Sequence, residues 1–131
     1  MLPRKFRVYS GGFLRKCRTL EWKTCQLVYF EQEAPSLPVV KPSVVFLKPA
    51  PSDWEEFANS LIKAGAYSWD GHKFEEQVTD GVEFEIWVTF RHRIKLSCYH
   101  RFPQKFSIFL DAINALTKAS PDSPFYFTCD D

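Results

Sequence analysis

Five prolines, Pro35, Pro38, Pro42, Pro49 and Pro51, fall in the stretch from Ala34 to Pro51. Each lacks a backbone N–H, fixes its own φ and disfavours the helical region for the residue before it, so neither a helix nor a central strand can run through this part of the chain. The sequence divides into an N-terminal segment, 1–33, a proline-rich connection, 34–51, predicted to run extended over the surface, and a C-terminal segment, 52–131. Within the connection only Val44 to Lys48 has the β-branched and aromatic content of a strand, and its proline neighbours place it at a sheet edge. At 131 residues with 45% hydrophobic and 17% aromatic side chains, the three parts are expected to share one core as a single domain spanning 1–131.

The N-terminal segment has the two-residue period of strands. Phe6 and Val8 alternate with charged residues in KFRVY, and Ser10-Gly11-Gly12 supplies a turn. CRTLEWK (17–23) and QLVYFE (26–31) follow, joined at Thr24-Cys25 by a connection short enough only for an antiparallel pair. The C-terminal segment opens on the clearest helix, PSDWEEFANSLIKAG, where Trp54, Phe57, Ala58, Leu61 and Ala64 form one stripe and Gly65 is the stop. Ser52 is the expected cap, with Glu55 returning to its N–H and Asp53 and Glu56 adding negative charge at the helix start. A second helix follows Pro103, with Phe106, Phe109, Leu110, Ile113 and Leu116 on its apolar face.

Between the helices, Ala66 to Phe74 reads as a short strand or loop broken at Asp70-Gly71. The next stretch reads as a hairpin: Phe84, Ile86, Val88 and Phe90 alternate with Glu83, Glu85, Trp87 and Thr89, and Ile94, Leu96 and Cys98 return with Lys95, Ser97 and Tyr99. A three-residue turn at Arg91-His92-Arg93 sets Phe84 opposite His100 and Glu85 opposite Tyr99. The tail either frays or lays Phe125 and Phe127 on the core. Short connections join antiparallel neighbours, so the expected fold is α+β, a mostly antiparallel sheet of five to six strands with two helices packed on one face.

Enzyme chemistry finds little purchase here. His92 and His100 lie about 26 Å apart along an extended strand, too far to share a proton transfer. Cys98 falls in the apolar alternation, where a thiol behaves as a small hydrophobe. There is no phosphate loop, H-E-x-x-H or G-x-S-x-G, and the three histidines lack metal-ligand spacing. No catalytic residue, metal or cofactor is expected. The four cysteines are scattered and expected to be reduced, although Cys17 and Cys25 could face each other across a hairpin. No apolar run approaches bilayer length and no signal-type segment is visible, so no membrane partner is expected and a cytoplasmic location is.

Charge is more informative in its distribution than in its net value of +1. Residues 1–26 carry seven Lys/Arg against Glu21, whereas 70–85 carry six acids against Lys73. Opposed patches of this kind either steer partners or neutralise each other across the fold. The candidate binding residues are Glu75, Glu76, Asp80, Glu83 and Glu85 with Trp87 and Tyr99, an aromatic anchor with a charged rim. Trp87 covered by the connection or the tail is the competing structural reading. A second functional reading takes the basic cluster 91–105 (Arg91, Arg93, Lys95, Arg101, Lys105), interleaved with Tyr99 and Phe102, as a small single-stranded nucleic-acid-binding domain.

Four spacings, Pro51-Ser52-x-Trp54-x-x-Phe57, Tyr67-Ser68-Trp69, Asp80-Gly81-x-x-Phe84 and Phe102-Pro103-x-x-Phe106, together with Ser10-Gly11-Gly12 and Leu27-Val28-Tyr29, cover most of the chain. In these the chain resembles a group of small, functionally uncharacterised bacterial proteins, departing from them at Phe84, where Trp is more usual, and at His100, where Asn is expected. The resemblance implies no activity. By analogy of size, class and charge patchiness, the expectation is a non-catalytic bacterial protein-binding domain of immunity type whose partner is a cognate protein toxin.

Overall fold

A computed structural model of the chain describes residues 2–12, 15–32 and 43–129; the expectation of an extended path over 34–42 lies outside them. Strands β1 (Lys5–Gly12), β2 (Cys17–Lys23), β3 (Gln26–Gln32) and β4 (Ser43–Leu47) precede helix α1 (Pro51–Ala64) and a short 3₁₀ helix (Ala66–Trp69). Then come β5 (Lys73–Glu75), β6 (Val82–Thr89), β7 (Arg93–Tyr99) and α2 (Phe106–Thr117). The strands form one sheet in the order β4-β3-β2-β1-β6-β7-β5.

The α+β class and the two helices on one face agree with the periodicity. The strand count and pairing differ: seven strands make a mixed sheet, because Lys73–Glu75 pairs in parallel with β7. β5 is too short for any period to reveal, and the chain reaches it from the 3₁₀ helix on the helical side, so it runs alongside β7.

The sheet is closed at its middle by β1 and β6, which pair from Lys5↔Thr89 to Gly12↔Val82. The proline-rich connection therefore does not separate two structural units. Phe6 of β1 meets Trp54 and Phe57 of α1 with ring centroids 5.5 Å apart, and Phe84 of β6 meets Phe106 of α2 at 5.5 Å. Both halves of the sequence thus bury their aromatic faces in one core. Phe127 is fully buried in it and Phe125 half-buried, so the tail lies back on the sheet rather than fraying.

Two local expectations are corrected. Helix α1 begins two residues earlier than the Ser52/Glu55 pattern implied. Ala50 is the cap, Pro51 takes the first helical position, and the Asp53 carboxylate accepts the Ala50 N–H at 2.8 Å. Proline at that position is already set at a helical φ and gives up no needed donor, which favours this frame over the one capped by Ser52. Gly65 ends the helix with φ 67°, as expected.

The β6–β7 hairpin pairs Thr89 with Arg93, so the turn is Phe90-Arg91-His92 and Phe84 faces Cys98. Phe90 leaves the strand because its ring is buried against Trp54 (6.4 Å) and Phe57 (6.2 Å). The slip is by two residues, so every side chain keeps its face. Cys17 pairs with Gln32 at the far end of β2 from Cys25, so these two cysteines do not face each other.

Candidate functional site

The helices cover one face of the sheet, and no described helix covers the other. Strand alternation and register decide what stands on that outer face. One row across it runs Phe46, Val28, Glu21, Arg7, Trp87, Lys95; two rows further along the strands, Glu83, Tyr99 and Glu75 stand in succession. Glu85 and Ser97 pair in the row between.

Trp87 is 37% exposed, so neither the described tail nor any described part of the connection covers it. Instead Lys95 Nζ lies 4.4 Å and Lys5 Nζ 4.8 Å from its ring, each a cation–π contact. One end of the face is thus cationic, with Lys5, Lys95 and Arg93. The other is mostly acidic: a groove of about 280 Å³ is lined by Glu75, Glu83 and Glu85 around Ser97 and Tyr99, with Lys73 at its rim paired to Glu75 at 3.6 Å, and a wider hollow beside it by Glu75, Glu76 and Thr79. Burial, and then the charge of Glu85, raises the Glu83 pKa above the usual carboxylate range.

Of the residues predicted to bind, Glu75, Glu83, Glu85, Trp87 and Tyr99 share the outer face, and Glu76 adjoins them by donating its N–H to the Tyr99 carbonyl at 2.9 Å. Asp80 sits in the turn before β6 and lines neither hollow. Tyr99 has a structural duty: its hydroxyl donates to the Val78 carbonyl (2.9 Å) and accepts the Gly81 N–H (3.3 Å), pinning the loop that carries the acids. The periodicity did not single out Lys5, Arg7 or Tyr9, which flank the site from β1. Their alternation with Phe6 and Val8 was visible, but only the β1–β6 pairing puts them beside Trp87 and Glu85. Tyr9 donates its hydroxyl to Cys17 Sγ at 3.4 Å, and burial, that thiol and the two glutamates hold its pKa well above normal.

The basic cluster 91–105 is not gathered. Arg93 and Lys95 are on β7, whereas Arg101 and Lys105 lie beyond its other end. Arg93 is engaged by Asp70, Nε to Oδ1 at 3.1 Å, and Phe102 stacks inward on Phe106 at 5.1 Å. The basic N-terminal patch is partly neutralised, with Lys16 paired to Glu31 at 3.4 Å and Arg18 donating to the Tyr126 carbonyl while lying over the Phe127 ring.

His92 and His100 stand at opposite ends of β7, and the His92 ring packs edge-on to Tyr67. Cys98 is buried and its pKa pushed up to about 12 by that burial, which suppresses the nucleophilic thiolate. Among the described residues no three His, Cys, Asp or Glu converge in a way that could hold a metal ion, and no helix is long and apolar enough to cross a membrane. No protein-family profile matches the chain, and no curated protein matches it.

Proposed function

We propose that this is a non-catalytic protein-binding domain of bacterial immunity type, acting in the cytoplasm, that holds a basic surface of a toxin partner against its outer sheet face. Support comes from one observation: an open sheet face that sets Glu75, Glu83 and Glu85 around Tyr99, two rows from an exposed Trp87. Acids of one sign orient a basic partner as it approaches, and an aromatic anchor nearby supplies the apolar contact that slows its release.

The test is to identify what the neighbouring gene encodes and, where it is a toxin-like protein, to measure binding to it by calorimetry. Trp87→Ala should weaken binding about 30-fold, and Glu83→Lys with Glu85→Lys about 100-fold with a flattened salt dependence. Unchanged affinity in both variants would sink the reading.

A second reading is favoured by the Lys5–Trp87–Lys95 arrangement, since a flat ring between cations is also how a single-stranded base is stacked and its phosphate held. Micromolar binding to an oligonucleotide that falls steeply with salt, and is lost in Trp87→Ala, would replace the first reading with this one.

A further inference from the structure

Among the described residues the sheet has two edges, β4 and β5, and they are built differently. The β5 edge is short, and two of its three residues, Lys73 and Glu75, are charged and paired with each other at 3.6 Å. Charge and brevity are how natural sheets keep an edge from recruiting another strand. The β4 edge has neither safeguard. Its five residues, Ser-Val-Val-Phe-Leu, carry no charge, and on the outer face Val44 is 49% and Phe46 63% exposed, while Val45 and Leu47 lean on the core. Pro42 and Pro49 bracket the strand without interrupting it.

From this contrast we infer that β4 is a homodimer edge, pairing antiparallel with β4 of a second copy about a twofold axis through Val45. A twofold perpendicular to the sheet keeps each copy's outer face outward, which requires paired residue numbers of even sum. The register centred on the strand pairs Val45 with Val45, Val44 with Phe46 and Ser43 with Leu47 of the second copy. It is self-complementary: no like charges meet, and each exposed Val faces an exposed Phe. Val28 and Phe30 of β3, half-buried beside them, extend the apolar strip on both sides of the axis. The partner is a second copy rather than a foreign strand because this short sequence satisfies its own edge in both directions.

The result is one continuous fourteen-stranded sheet. Trp87 and its counterpart lie nine strand spacings apart, roughly 43 Å at about 4.8 Å per strand before twist is considered. Both candidate sites stay open on the same side. Five paired residues make an interface at the small end of specific ones, so the expected dissociation constant is about 10 μM.

Sedimentation or light scattering across about 1–300 μM, bracketing that constant, tests the proposal. Wild-type protein should approach twice the 15.3 kDa of one chain. Val44→Lys with Phe46→Lys, which sets lysine opposite lysine in this register, should abolish the dimer. Val44→Glu with Phe46→Lys sets glutamate opposite lysine and should retain it. Both positions are solvent-exposed, so unchanged thermal melting of dilute protein is expected in each variant. A monomeric wild type, a dimer that survives the double lysine variant, or one lost in the Glu/Lys variant would each overturn the proposal.

Discussion

Asn114 of α2 and the backbone of Phe127 exchange two hydrogen bonds: the side-chain Nδ2 donates to the Phe127 carbonyl and Oδ1 accepts the Phe127 N–H, both at 2.9 Å. The amide imitates a neighbouring strand, and it does so in a buried place where water could not substitute. Asn114→Ala would leave both backbone groups unmatched. A loss of about 2–4 kcal/mol is expected from urea denaturation, with faster amide exchange confined to the tail.

Gly12 and Gly65 both have positive φ but different surroundings. At Gly12, with φ 140°, a Cβ would sit 2.5 Å from the Gly81 carbonyl oxygen, part of a backbone that cannot yield without opening the β1–β6 seam. At Gly65 nothing lies within 4 Å. Gly12→Ala should therefore cost about 2–3 kcal/mol and Gly65→Ala about 1 kcal/mol, measured in the same denaturant series.

Asp70 accepts the Lys95 N–H at 2.9 Å as well as the Arg93 guanidinium, and these contacts, the guanidinium first, hold its carboxyl below the usual range. A lowered acid pKa contributes stability that is complete above the ordinary value of 3.8 and lost as pH falls through the folded value. Wild type should therefore melt above Asp70→Asn at neutral pH, and the gap should close in strong acid. A gap independent of pH would assign the effect to packing instead.

Glu83 behaves in the opposite sense. Its raised pKa means that the fold disfavours the carboxylate, so wild type loses stability as pH rises through 4.5 and the higher folded value. Glu83→Gln should melt at or above wild type at pH 7 and match it at low pH, while binding a basic partner less tightly. Stability gained and affinity lost in one substitution is the pattern of a residue kept for binding.

Much of this was readable from local pattern. The Trp54, Phe57, Leu61 stripe and the alternation in 84–98 act within one element, and both face the core as their spacing implied. The misreadings have non-local causes. Phe90 reads as a strand residue because its own neighbours alternate, but it is drawn into the turn by rings on α1. β5 exists only through its pairing with β7, and with it the placing of Glu75 on the outer face. Glu76 and Asp80 lie outside strands, where no period fixes direction, and only the loop held by Tyr99 separates the one from the other.

The β1–β6 seam also bears on how the molecule is made. The first residue of β1 finds its partner in the last residue of β6, so the central pairing waits until most of the chain exists. Until then the N-terminal meander has no α1 or β6 to shelter Phe6, Val8 and Leu20, and β1 is itself an open edge. Such long-range closure makes for slow folding and a vulnerable nascent state, in which aggregation competes with synthesis until β6 arrives.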